Sequence, residues 1–192
     1  MKKHPTAAVS KDATINTYAH LWHASRTLRR QTENKVSGWH FQIMASLVFA
    51  AFTLEAFCNH VGDYLFDSWA DNERKLSPQE KLSLICKHLQ LKKDDGNRPF
   101  QTVRTLLKFR NDLAHGKSVK MQQSSEVPMD ERYDEFLQEE LKADWQKYVS
   151  NDNLVKVHED VGKLIRTIHE ASKMEDVAFN LGDFGYSATE RQ

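Results

Sequence analysis

The residues with the clearest chemical potential lie together in Arg110-Asn111-Asp112-Leu113-Ala114-His115, followed by Gly116. They close an apolar-patterned segment in which Phe100, Val103, Leu106, Leu107 and Leu113 recur at helical spacing. Asn111 and His115 stand at i and i+4, so they share a helix face and can hydrogen-bond to each other. Arg110 precedes Asn111, and its long side chain can lean toward the same helix end. A fixed cation, an amide and an imidazole at one helix terminus suit phosphodiester chemistry. Arginine neutralises phosphoryl oxygens through paired hydrogen bonds. Histidine titrates near neutrality and can move the proton. The structural alternative is simple: Arg110 pairs with an acid such as Glu55 or Asp112, and His115 complements the helix dipole.

Other chemical signatures are missing from the chain. It has no phosphate-binding Gly-rich loop, no His-Glu-x-x-His and no Cys-x-x-Cys. His20 and His23 sit at i and i+3 without a nearby third ligand, which reads as a helix surface rather than a metal site, so neither metal nor cofactor is expected. Cys58 and Cys86 cannot build a disulfide framework and point to a reducing compartment. Cys58, inside an apolar run, reads as a small core residue.

The elements that must position the Arg110–His115 segment are helical. Ile15, Tyr18, Ala19 and Trp22 predict a first helix over about 12–31. A second begins after Ser37-Gly38 and runs toward Trp69, apolar nearly all round from Met44 to Phe57, as the central helix of a bundle would be. The run Met44 to Leu54 is about half a membrane span in length, so a buried helix is expected and no membrane association. Ser77-Pro78-Gln79-Glu80 is a capping box with Pro at the first helical position. Asp95-Gly96 marks a turn, Pro99 opens the helix that ends at His115, and Gly116 is expected as its C-terminal cap. Residues 116–129 read as a loop. Two further helices are predicted, one striped by Tyr133, Phe136, Leu137, Leu141, Trp145 and Tyr148, the other by Leu154, Val157, Val161, Leu164, Ile165 and Ile168. No strand alternation stands out. The expectation is an all-α bundle of five or six helices, mainly up-and-down, over 12–172, with a mobile or loosely docked tail at 173–192.

Composition agrees with one folded domain: 192 residues, 40% hydrophobic and 28% charged, with only 7 Gly and 4 Pro. Lys and Arg number 27 and Asp and Glu also 27, which excludes a protein that coats nucleic acid through bulk positive charge. The balance is uneven along the chain. Residues 81–120 carry ten Lys and Arg against three Asp, and residues 121–160 carry eleven acids against four bases. Within the basic block, Lys108, Lys117, Arg104 and Lys120 are the expected phosphate contacts. The two blocks could equally be solvated faces that pair with each other. With no signal-peptide pattern after Met1, a cytoplasmic location is expected.

Arg110-Asn111-Asp112-Leu113-Ala114-His115 resembles the Arg-x(4–6)-His signature of the HEPN superfamily (higher eukaryotes and prokaryotes nucleotide-binding domains). The segment Leu54-Glu55-Ala56-Phe57-Cys58-Asn59 is similar to the "LEAF-x-N" helix of many bacterial members, and together with the helix order the resemblance spans most of 14–170. It implies a metal-independent endoribonuclease, typically a toxin or antiviral effector, that acts as a homodimer on RNA and leaves a 2′,3′-cyclic phosphate and a 5′-hydroxyl. By that resemblance Arg110 holds the scissile phosphate, His115 is general base or acid, and Asn111 orients His115. Glu55 and Asp112 are supporting candidates. Many relatives serve as interaction or nucleotide-binding modules, so a non-catalytic role with an antitoxin or another protein partner stands as the alternative.

Overall fold

The longest apolar run of the sequence becomes the axis around which the rest of the chain is arranged. The computed structural model describes residues 6–34, 37–126, 134, 136, 137 and 140–191. In chain order these form β1 (Thr6–Ile15), α1 (Thr17–Thr32), α2 (Trp39–Leu65), α3 (Trp69–Asn72) with a 3₁₀ turn at Glu73–Lys75, α4 (Pro78–His88), α5 (Phe100–Ala114), α6 (Asp144–Tyr148), α7 (Asn151–Ser172) and β2 (Gly182–Arg191). The architecture is mainly α-helical, as the periodicity predicts.

Helix α2 buries Ile43, Leu47, Ala50, Leu54, Phe57 and Val61 completely. Against it lie Tyr18, Ala19 and Trp22 of α1, Leu82 and Ile85 of α4, Leu106 and Leu107 of α5, and Val157, Val161, Ile165 and Ile168 of α7. Tyr18 meets Phe57 while Ser25 meets Ser46, so α1 and α2 run antiparallel. Helix α2 continues well beyond Leu54. Its length and mean hydropathy of 1.7 over its most apolar stretch would allow a membrane crossing, yet half of that stretch is buried inside the bundle.

Helix boundaries follow local chemistry. Ser77 Oγ accepts the Glu80 amide at 3.3 Å, and the Ser77 amide donates to Glu80 Oε2 at 2.7 Å, the reciprocal capping box that the sequence spells out. Helix α2 stops at Leu65, short of Trp69, because the chain turns through an extended Phe66 and folds Trp69 back onto α2. Gly62 makes room for that return: a Cβ there would lie 2.1 Å from Cε2 of the Trp69 indole, which is 3% exposed. Alanine favours a helix over glycine by about 1 kcal/mol, but here overpacking outweighs propensity. Gly62→Ala should therefore destabilise by about 1–3 kcal/mol in urea unfolding. A variant more stable than the parent would show that Trp69 yields freely.

Three expectations are corrected. Residues 12–15 belong to strand β1 and α1 starts at Thr17. Residues 140–143 are not helical, so the helix expected along the Tyr133–Tyr148 stripe is interrupted: Asp134, Phe136 and Leu137 are helical, and the short α6 starts separately at Asp144; Tyr133 lies outside the described residues. The C-terminal segment 182–191 is a strand, paired antiparallel with β1 from Thr6↔Arg191 to Ile15↔Gly182. Between α7 and β2, Phe179 stacks on Trp22 at 5.3 Å and donates its amide to Tyr18 Oη at 3.2 Å. Asp176 accepts from His169 at 3.0 Å, and Asn16 donates its side-chain amide to Asn180 O at 3.0 Å. The alternation that announces β1 is weak: Val9, Ala13 and Ile15 share one face, but Lys11 interrupts it and residues 9–15 are all exposed.

Candidate functional site

Helix α5 is anchored by Val103, Leu106, Leu107 and Phe109, all buried. Its start is pinned to α7, where Arg98 Nε (2.7 Å) and Thr102 Oγ1 (2.6 Å) both donate to Asp160 Oδ2. That anchoring fixes where the last turn aims its polar side chains, and it aims them in two directions.

Arg110 turns toward α2. Its Nη2 donates to Glu55 Oε2, and its guanidinium carbon lies 5.6 Å from the centre of the Phe52 ring. Lys81 Nζ of α4, in a residue only 4% exposed, stands 3.9 Å from the other oxygen of Glu55. One half-buried carboxylate thus serves two cations, and the trio keeps a net positive charge. Among the described residues the buried Arg110 Nε–H has no partner, an unused donor in a group otherwise held firmly. Of the two partners open to Arg110 in the sequence, Glu55 is the one it takes. Asp112 instead receives Lys108 Nζ at 2.7 Å.

Asn111 and His115 turn the other way, into an open cleft of about 720 Å³. Both are exposed, and their side chains form no hydrogen bond with each other or with any described residue. The link between them is of backbone, from the His115 amide to Asn111 O at 3.0 Å. The helix closes on His115 itself, with φ −112° and ψ 16°. Gly116, expected as the cap, follows one residue later and is not left-handed. Arg110 and His115 are five positions apart, about 140° around a helix of 3.6 residues per turn, so the expected convergence of all three side chains within one chain does not occur.

The cleft gathers residues from three stretches of sequence. Lys108, Asp112 and Lys117 flank His115; Val119 and Met121 come from the following loop; Lys142, Asp144, Trp145 and Lys147 come from α6 and the residues before it. Lys142 and Lys147 belong by sequence to the acidic block, yet they line the same cleft as Lys117. Arg104 is elsewhere, lining a cleft of about 380 Å³ between α4 and α5 together with Phe100 and Lys93. Lys120 is exposed on the loop and does not line the His115 cleft. Lys81, Phe52 and Trp145 are site residues that the sequence does not single out as such. A basic residue at an apolar position of α4 was the available signal for Lys81, and none marked the other two.

Elsewhere, burial pushes the Cys58 thiol up to about 12 and Cys86 up to about 11, which makes both inert core residues. His20 and His23 are exposed on α1. Among the described residues no group of three His, Cys, Asp or Glu side chains could hold a metal ion. No family model, no characterised protein and no solved structure matches this chain.

Proposed function

We propose that this chain is an endoribonuclease of HEPN type that needs no metal, working as a homodimer in the cytoplasm as a toxin or antiviral effector. The observation that carries the reading is the last turn of α5. It presents an exposed His115 to a lysine-bearing cleft and, on its other side, an Arg110 held in one orientation by Glu55 and Phe52. In the reaction proposed, a histidine takes the 2′-hydroxyl proton and O2′ attacks phosphorus. The P–O5′ bond breaks, and a second acid protonates the departing O5′. The cyclic phosphate and 5′-hydroxyl termini follow from that balance. Arg110 carries the charge that grows on the phosphoryl oxygens.

One chain offers one His115 and turns Arg110 away from it. A two-fold axis near the end of α5 would supply the second histidine and set the Arg110 of one copy toward the His115 of the other. Exposed apolar side chains on α2 support such an axis, Phe52 lying beside Arg110. Phe41 and Phe52, on one face of α2 about three turns apart, are 67% and 40% exposed.

A second reading rests on the same contact seen differently. Arg110 satisfied by Glu55 is also a structural ion cluster, which suits an interaction or nucleotide-binding module with a protein partner such as an antitoxin. Incubation of the purified protein with mixed RNA in excess chelator, followed by mapping of the new ends, separates the two. Cyclic-phosphate and 5′-hydroxyl ends are expected. Intact RNA in chelator with cleavage restored by a divalent ion would remove the metal-free mechanism, and intact RNA in both would favour the binding module.

A further inference from the structure

Trp145 is the aromatic side chain of the His115 cleft. It is half-buried, its inner side packed on the hydrophobic core, and it is joined there by Val119 (63% exposed) and Met121 (38% exposed). Exposed apolar side chains facing an aromatic ring across an open cleft are costly to leave in water, and they mark a surface that receives something flat and apolar. The rim is cationic. Four lysines line the cleft against two aspartates; Lys108 and Lys147 are partly neutralised by Asp112 and Asp144, and Lys142 by Glu140 at 3.3 Å, whereas exposed Lys117 has no acidic partner among the described residues.

We infer that Trp145 is a stacking platform for an unpaired base of single-stranded RNA, with Lys117 on its phosphates. This rests on the ribonuclease reading above and adds the substrate class. A ring with one accessible side and a cationic rim is the minimal set for binding a single strand without regard to sequence. A duplex keeps its bases stacked on each other and out of reach of such a ring. The cleft's 720 Å³ falls within the usual range for sites that enclose a small ligand, about 300–1,000 Å³. A base on Trp145 would place its own sugar and phosphate in the cleft that Asn111 and His115 line. Recognition of an unstacked nucleotide and exposure of its 2′-hydroxyl to the histidine would then be one event.

The test uses a ten-nucleotide oligoadenylate with 2′-O-methyl ribose, which lacks the attacking hydroxyl and stays intact, beside a 2′-O-methyl duplex of equal length. Trp145→Ala should weaken single-strand binding about 5- to 150-fold, the span of one lost base–aromatic stack, and leave the duplex unchanged. Trp145→Phe should retain most of the affinity. Because Trp145 also touches the core, Val119→Asp, at an exposed position, serves as the variant that cannot be blamed on folding and should weaken the single strand as well. Parent-like binding by both Trp145→Ala and Val119→Asp, equal losses on single strand and duplex, or no binding of either probe by the parent would each overturn the platform. A parent that cleaves RNA yet is indifferent to these changes loses the platform alone. A parent that binds through Trp145 but never cleaves loses the ribonuclease reading and keeps the platform.

Discussion

Alanine at His115 is expected to slow RNA cleavage about 10²- to 10⁴-fold, the usual contribution of a general acid or base, while leaving thermal unfolding within about 0.5 kcal/mol of the parent. The asymmetry comes from position, since His115 is exposed and its side chain is bonded to nothing described. Arg110→Ala should be as damaging to activity but not as innocent to the fold. It strips Glu55 of its bonded partner and leaves it with Lys81 at 3.9 Å, a loss of about 1–3 kcal/mol. Glu55→Gln added to Arg110→Ala should cost further stability and restore no activity, because the buried Lys81 then loses the one carboxylate beside it. Unaltered cleavage by His115→Ala would end the proposed mechanism. Mixing the two inactive single variants tests a shared site, because a mixed dimer can rebuild one intact pairing and regain partial activity.

Acidification should weaken the fold by about 3 kcal/mol between pH 7 and pH 4 through one buried residue, His158. Ser25 Oγ donates to Ser46 O at 2.7 Å, and Ser46 Oγ donates back to Ser25 O at 2.8 Å. Both hydroxyl protons are thereby committed. His158 Nε2, 3.1 Å from each hydroxyl oxygen, must donate to them, and the neutral ring protonated at Nε2 already meets that need. Burial, then the nearby Arg29 and Arg26, bring its pKa from the ordinary 6.5 down to about 4. Between those values the unfolded chain binds a proton that the folded chain refuses. The stabilising contribution is complete above pH 6.5, falls as pH drops, and is gone below pH 4. Urea unfolding of the parent and of His158→Gln across this range should show a shallower acid decline in the variant. Parallel declines would mean that other groups drive acid unfolding.

What could be read from the sequence was what local spacing controls. The Ser77–Glu80 box, the apolar wrap of α2, the stripe of α7 and a partner for Glu55 on Arg110 all follow from residues within a few turns, or from the cost of an unpaired charge among apolar neighbours. The cleft could not be read, because it is assembled from α5, the loop after it and α6, and nothing local links Trp145 to His115. Block counting of charge misled for the same reason. Lys142 and Lys147 belong by sequence to an acidic stretch and by space to the site. The divergence of Arg110 from His115 was within reach of simple helix geometry, since five positions along an α-helix cannot share a face.

The β1–β2 ribbon carries a consequence for how the molecule assembles. Its ten-residue register joins opposite ends of the described chain, the highest contact order in the fold, whereas the helices form from near neighbours. Closing so long a loop unaided has a large entropic cost and, with residues 9–15 exposed, little burial to offset it. Once α1 and α7 have docked, the Asn16 amide already meets Leu181 O at 3.1 Å, and pairing can zip outward from that point toward Thr6 and Arg191. Amide hydrogens of the ribbon should therefore exchange from its outer end inward, by openings that leave the bundle intact, and a label incorporated there would report local fraying rather than global unfolding.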